Sequence, residues 1–171
     1  EAFKKTILLQ PKNFKAFINL GLAFKRKGKS NEAIDTFKKL LLENPQSASA
    51  HRYLSELIKY KFNDQHILAV RELIKKANHK DNDQCELHYA YAKMNEDIGN
   101  LEVALEHYSL GGKIRKKLLA YNIKQDQEIF EKIKNTASRL KGLSLDIKNK
   151  NDGSKPIFIV GMPRSGTTLV E

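Results

Sequence analysis

The sequence has no tryptophan, only four prolines and a single cysteine among its 171 residues. That cysteine, Cys85, cannot support an internal disulfide framework, which agrees with a reducing compartment. We expect it to be an inert, half-buried helix residue. No apolar run approaches the roughly 20 residues that a membrane-spanning helix needs, and no signal peptide is visible. We therefore expect a cytoplasmic chain without a membrane span, although a targeting signal upstream of Glu1 stays open.

Positive charge, in contrast, is abundant. Lysine and arginine number 31 against 20 acidic residues, and the formal net charge of +11 favours anionic partners. Most lysines alternate with apolar positions, as they do on the solvated faces of amphipathic helices. The densest basic cluster is Lys113, Arg115, Lys116 and Lys117. It lacks an RNA-binding aromatic signature and zinc-finger spacing, so nucleic-acid binding is not expected.

A repeated pattern lies between Pro11 and Pro45, which are about 34 residues apart. The pattern consists of large apolar residues, small residues and one turn glycine, in the order Phe17, Leu20, Gly21, Phe24, Gly28, Ala33, Phe37 and Leu40. This order and period resemble the tetratricopeptide repeat, a pair of antiparallel helices that stacks on its neighbours. The sequence therefore predicts a mainly α fold, a solenoid of helix pairs.

Each position of this repeat has a packing reason. Gly21 and Ala33 are small enough to let two helices approach closely, and the phenylalanines are expected to fill the space around that contact. Gly28 is expected to form the turn, and Ser30 or Asn31 to cap the second helix.

Weaker copies flank this repeat. Residues 2–9 match the second helix of a preceding pair, and a degenerate copy without a turn glycine runs from Ala48 to Asn63. A third copy shows Leu87, Tyr91, Gly99, Ala104 and Tyr108. Beyond Gly111 and Gly112, apolar residues at helical spacing predict one or two closing helices that cap the stack: Ile114, Leu118, Ile129, Phe130, Ile133, Ala137 and Leu140. We assign residues 1–141 to this helical-repeat domain.

Such a stack leaves a groove lined by the first helix of each pair, and grooves of this kind often bind peptides. Asn19 lies where some tetratricopeptide repeats hold a peptide backbone, but Tyr53 and Ala90 occupy the equivalent places. Asn19 alone is more often a polar surface residue, so the peptide or protein partner expected in the groove follows from the stack of helices. The histidines have no paired spacing along a helix and no cysteine partner, so we assign no metal to His51, His66, His79, His88 or His107.

The sequence changes character after residue 141. Residues 142–155 form a polar linker, and the apolar, β-branched run at 156–160 predicts a strand buried on both faces of a parallel sheet. A glycine-containing loop and an apolar helical pattern follow. Gly161 and Gly166 permit a tight backbone whose amides surround an anion at the start of the new helix.

The spacing of Gly161 and Gly166 equals that of the nucleotide-binding P-loop, but Thr167 replaces the lysine that should follow the second glycine. The cationic group is Arg164, inside the loop, which indicates a different anion. Two alternatives stay open: a P-loop kinase or NTPase that has lost its lysine, and a peptide-binding scaffold without catalysis.

Residues 156–171 resemble the 5′-phosphosulfate loop of sulfotransferases, whose signature reads Pro, Arg or Lys, Ser, Gly, Thr, Thr. Residues 86–93 and 96–99 also resemble the bacterial tetratricopeptide-repeat sulfotransferases. The resemblance implies the first strand and P-loop-like turn of an α/β sulfotransferase domain at 156–171. It further implies that the loop holds 3′-phosphoadenosine 5′-phosphosulfate through Gly161, Pro163, Arg164, Ser165, Gly166, Thr167 and Thr168.

In this resemblance Arg164 stabilises charge on the leaving phosphate, no metal is required, and the acceptor is a hydroxyl or an amine. Glu1 and Glu171 both fall within predicted helices, so we expect the chain to be part of a larger enzyme. We expect it to be inactive alone, because the 3′-phosphate site and the general base would lie beyond it. The strand at 157–160 would then fray or dock on helix surface.

Overall fold

The structure is a computed structural model that describes residues 1–76 and 80–140, and within those residues it is mainly α. The helices are α1 (Ala2–Leu9), α2 (Phe14–Arg26), α3 (Ser30–Glu43), α4 (Ala48–Ser55), α5 (Gln65–Lys75), α6 (Asp81–Asp97), α7 (Leu101–Leu118) and α8 (Ile123–Leu140). The predicted strand, linker and glycine loop lie outside the described residues. Residues 1–122 form one compact unit, and α8 belongs to a second.

The first helix pair, α2 and α3, confirms the close approach predicted at Gly21. A Cβ atom built there would lie 2.4 Å from Cζ of Phe37, whose ring is completely buried against the glycine. Gly28 ends the turn with a φ of +70°, in the left-handed region that favours glycine. The Asn13 side chain caps α2 by accepting a hydrogen bond from the Ala16 amide at 3.1 Å.

The predicted cap of α3 is wrong. Ser30 is already the first helical residue and Asn31 the second, while the cap position belongs to Lys29, which makes no side-chain cap bond. The turn between α2 and α3 has only three residues, 27–29, so α3 begins directly after Lys29. Glu32 lies in the first turn of α3 and pairs with Lys29 at 3.7 Å. Its negative charge interacts favourably with the positive end of the helix dipole.

The pair formed by α6 and α7 confirms the third copy, with Gly99 in the turn at a φ of +81°. Ile114 and Leu118, predicted to belong to a closing helix beyond Gly111 and Gly112, lie instead in α7, which continues through both glycines to Leu118. A glycine is needed at 111 for packing: a Cβ atom there would lie 3.3 Å from the Tyr89 ring. Gly111 thus serves a close helix contact inside α7.

The degenerate middle copy departs most from a regular repeat. Helix α4 spans only eight residues and packs on α3 and α6, while α5 packs mainly on α6. Asn63 adopts a φ of +66° in the turn before α5 and so takes the conformation that a turn glycine would supply. The segment between these helices inserts Tyr60 into the core, and the Tyr60 amide donates to the Asp97 carboxylate at 3.2 Å.

Two apolar clusters lie within residues 1–122. The smaller cluster contains Ala33, Phe37 and Leu54. The larger cluster joins α4, α5 and α6, and it includes Tyr60, Val70 and Leu87. Both clusters reach Ile58, so the cores meet at the end of α4.

Helix α8 carries apolar residues at helical spacing, and none of its residues is buried. Whether it caps the stack stays a prediction, as does the boundary at residue 141. In the part of the chain that the structure describes, no helix combines the length and apolarity that crossing a membrane requires.

Candidate functional site

The first helices of the three pairs, α2, α4 and α6, are connected by one continuous series of polar contacts. Lys25 of α2 pairs with Glu56, the residue that follows α4. Arg52 of α4 binds the same carboxylate, with 2.7 Å between Nη1 and Oε1. The Arg52 guanidinium also lies 5.5 Å above the centroid of the Tyr89 ring on α6. We call Lys25, Arg52, Glu56 and Tyr89 the bridging strip.

Further ion pairs continue this surface toward α7. Glu86, one turn before Tyr89, accepts from Arg115 of α7 at 2.9 Å. Tyr108 donates to Glu96 at 2.7 Å, and burial together with this carboxylate raises the pKa of Tyr108 to about 12. Part of the basic cluster noted in the sequence is therefore occupied in holding α7 against α6.

Side chains of the bridging strip are partly accessible. The exposed fractions are 37% for Lys25, 27% for Glu56 and 23% for Arg52. Arginine and tyrosine are enriched where proteins contact one another, because each offers apolar area and directed hydrogen bonds from one side chain. The strip holds the helices in register, and its residue types make it a candidate surface for contact with a second polypeptide.

The position predicted to hold a peptide backbone is presented by one helix only. Asn19 is half-buried on α2. Its equivalents turn inward: the Tyr53 ring stacks on Phe37 at 5.7 Å between centroids, and Ala90 is completely buried. A backbone clamp repeated along the stack is thus absent from these three first helices.

Four of the five histidines meet in two pairs that their spacing did not indicate. In the first pair, His51 Nδ1 lies 2.7 Å from His66 Nε2. His51 Nε2 lies 2.8 Å from the Pro45 carbonyl oxygen, and the Tyr60 hydroxyl lies 2.7 Å from His66 Nδ1. We call this series the histidine chain.

The Pro45 carbonyl, at one end of the histidine chain, determines the direction of each hydrogen bond in it. The Pro45 carbonyl can only accept, so His51 donates from Nε2, His66 donates to His51, and Tyr60 donates to His66. This order requires both rings to be neutral. Burial lowers the pKa of His51, and burial followed by the neighbouring His51 lowers the pKa of His66 to about 4.

The second pair is His88 and His107, on α6 and α7, with 2.9 Å between their Nδ1 atoms. Burial lowers the pKa of both rings, while nearby Glu106 acts in the opposite direction. Neighbours in such a pair are 15 or 19 residues apart in sequence, so only the helix packing reveals them. No group of three or more metal-ligating side chains lies within residues 1–76 and 80–140.

Cys85 is completely buried, more deeply than the sequence suggested, and its thiol donates to the Gly111 carbonyl at 3.4 Å. Burial raises its pKa, which suits a packing role. The residues predicted to bind phosphosulfate, from Gly161 to Thr168, lie outside the described part of the chain.

No protein-family model matches the chain, and no curated protein does. Among solved structures, a crystal structure of MamA is similar, with 17% sequence identity over 70% of this chain and 88% of the MamA chain and a TM-score of 0.36. The helices of the described residues and their contacts define the class of this part of the chain, which is all-helical and built from stacked helix pairs.

Proposed function

We propose that residues 1–122 form a protein-interaction module that binds a polypeptide segment along the first helices α2, α4 and α6. The observation that carries this proposal is the bridging strip, which links all three helices and presents Arg52 and Tyr89 on one connected surface. Stacked helix pairs commonly use this surface for binding, because each pair adds contacts to a single extended segment.

The charge of the chain favours an acidic segment. The net charge of +11 attracts anionic partners over long range. At close range, a partner carboxylate can compete with Glu56 for Arg52 and Lys25, which are only partly exposed and so hold their charges where water screens them less. An apolar partner side chain would pack on the Tyr89 ring.

Fluorescence anisotropy with matched acidic and basic peptide panels tests this module. We expect acidic segments to bind and Arg52→Ala to weaken that binding, since the variant removes both the guanidinium and its contact with Tyr89. Lys75→Ala removes an exposed cation on α5 that pairs with nearby Glu72, and so provides a matched loss of one charge away from the strip. If both variants weaken peptide binding equally, the effect comes from the loss of net charge, and this result would contradict the proposed surface.

We also propose that the chain belongs to a sulfotransferase, a proposal supported by the sequence of the loop at 161–168. The proposal rests on Arg164 and Thr167. Thr167 stands where a triphosphate-binding P-loop has its lysine, and Arg164 supplies the positive charge from inside the loop. Sulfuryl transfer builds negative charge on the bridging oxygen of the donor. Loop amides and the Arg164 guanidinium would stabilise this charge as it develops.

Calorimetry on the natural full-length protein tests the second proposal. We expect adenosine 3′,5′-bisphosphate to bind without metal and Arg164→Ala to weaken it, whereas Arg139→Ala, a charge outside the loop, leaves it unchanged. Tighter binding of ATP with Mg²⁺ would support a P-loop kinase or NTPase instead. This outcome would leave the interaction module untouched, since the two proposals rest on different residues.

A further inference from the structure

The pair formed by His88 and His107 places two identical ring nitrogens opposite each other across one helix contact. Their Nδ1 atoms are 2.9 Å apart, and their ring centroids are 4.9 Å apart. Tyr91 packs edge-on against His107 at 4.7 Å between centroids, which fixes the orientation of that ring. Neither histidine is fully buried.

The nitrogen separation selects among metal geometries. Bonds of about 2.0–2.1 Å from an ion to two imidazoles place the nitrogens about 2.9 Å apart at a right angle and about 3.3 Å apart at a tetrahedral angle. The observed 2.9 Å therefore fits two adjacent corners of a square-planar or octahedral site. A tetragonal site of nitrogen and oxygen ligands is typical of Cu²⁺ or Ni²⁺.

The chemistry of the two rings also suits a metal ion. Two neutral imidazoles can share only one proton between facing Nδ1 atoms. When an ion takes the place of this proton, the proton passes through solvent to Nε2 of the ring that carried it, and both neutral rings bond to the ion through their Nδ1 lone pairs. The histidine chain offers a contrast within the same molecule. Its facing nitrogens are flanked by the Pro45 carbonyl and the Tyr60 hydroxyl, which fix the tautomers, and His51 is only 4% exposed.

We propose that His88 and His107 form a two-histidine site for a divalent late transition metal, with Cu²⁺ bound most tightly and water in the remaining positions. The order Cu²⁺ above Ni²⁺ follows the general stability series for nitrogen ligands. Because the histidines come from α6 and α7, the bound ion cross-links the third helix pair and stabilises it against unfolding.

Cu²⁺ titration of the 171-residue chain, without an affinity tag and with an acetylated amino terminus, tests the site. We expect one saturable site whose electron paramagnetic resonance spectrum shows two coordinated nitrogens, and an increase in Tm on binding. His88→Gln and His107→Gln should each weaken binding by at least about tenfold, as the loss of a ligand requires. His79→Gln applies the same substitution at another histidine and should leave the affinity unchanged.

Equal Cu²⁺ affinity in the wild type and the His88→Gln/His107→Gln double variant would overturn the proposal, because the ion would then bind elsewhere. Tighter binding of Zn²⁺ than of Ni²⁺ would overturn the geometric argument. Circular dichroism checks that each variant folds. If a variant does not fold, the spectrum of the wild-type complex decides alone: one coordinated nitrogen, or none, contradicts the site.

Discussion

At the scale of single residues, three glycines on α2 and α7 differ in what a methyl group would meet. A Cβ atom at Gly21 would lie 2.4 Å from the buried Phe37 ring, at Gly111 3.3 Å from the Tyr89 ring, and at Gly112 4.0 Å from the Tyr89 hydroxyl. The first contact requires the buried Phe37 ring to move, the second requires a small shift, and the third is ordinary packing.

These distances predict a graded series of alanine variants. Gly21→Ala should lower the free energy of unfolding by about 1–3 kcal/mol, the usual cost of overpacking a core. Gly112→Ala should leave it unchanged or raise it by about 0.5–1 kcal/mol, because alanine favours a helix interior. Gly111→Ala should fall between them. Urea denaturation measures all three, and a Gly21→Ala variant as stable as the wild type would contradict the packing described for Phe37.

Which residues the sequence reveals depends on how far apart their partners are. The roles of Gly21 and Gly28 follow from the 34-residue pattern, because their contacts recur at a fixed spacing. The histidine pairs follow no such spacing and depend on how neighbouring helices pack. Cys85 was expected to be half-buried for the same reason: its partner, the Gly111 carbonyl, lies in the next helix.

At the scale of helices and turns, the left-handed residues Gly28, Gly99 and Asn63 end three connections. A Cβ atom at Gly28 would meet nothing within 4 Å, so any cost of replacing it comes from the backbone alone. Gly28→Ala should therefore lower the free energy of unfolding by about 1–2 kcal/mol, and Gly28→Asn should lower it less. Thermal unfolding measures both, with Asn63→Gly as a control that should show no loss.

The histidine chain links α4 to α5 and predicts a pH-dependent stability. The pKa of His66 is lowered to about 4 in the folded chain, below its usual 6.5 or so in an unfolded chain. Asp64 opposes this shift and Lys38 reinforces it. The contribution of His66 to the free energy of unfolding is therefore fully present above about pH 6.5 and is lost as the pH falls toward 4. The loss is on the order of 3 kcal/mol.

Unfolding by urea at a series of pH values measures this loss. His66→Gln cannot titrate at this position and should reduce the dependence between pH 6.5 and 4, even if its stability at neutral pH is lower. Part of the dependence should remain, because burial lowers the pKa of His51, His88 and His107 as well. Tyr60→Phe keeps the ring in the core but removes the donor to His66, and the pH dependence should persist. A slope in the His66→Gln variant equal to that of the wild type would assign the titration to other groups.

The regular pairs α2 with α3 and α6 with α7 could be predicted because their apolar positions, small residues and turn glycines are local. The middle copy could not be predicted beyond its degeneracy, since Tyr60 packs against α6 and its amide bonds Asp97, 37 residues away. The predicted cap of α3 was wrong because a short turn shifted the helix start. The loop at 161–168 stays a prediction.

At the scale of the whole molecule, the net charge of +11 governs how partners approach. If the interaction module binds acidic segments, higher salt should slow their association and weaken their binding, since exposed charges are screened beyond about 8–10 Å. Stopped-flow anisotropy measures the association rate and the dissociation rate separately. An association rate that does not change with salt would assign the affinity to apolar contacts such as those of Tyr89.

The division of residues 1–122 between two apolar clusters has a mechanical consequence. Helices α2 and α3 pack on α4 through the smaller cluster, while α4, α5 and α6 share the larger one. Under tension applied at the two ends in a single-molecule pulling experiment, the leading pair should yield first and give a separate, lower-force step. The helices from α4 onward would then lengthen together, because Tyr60 ties the middle copy to the one that follows it.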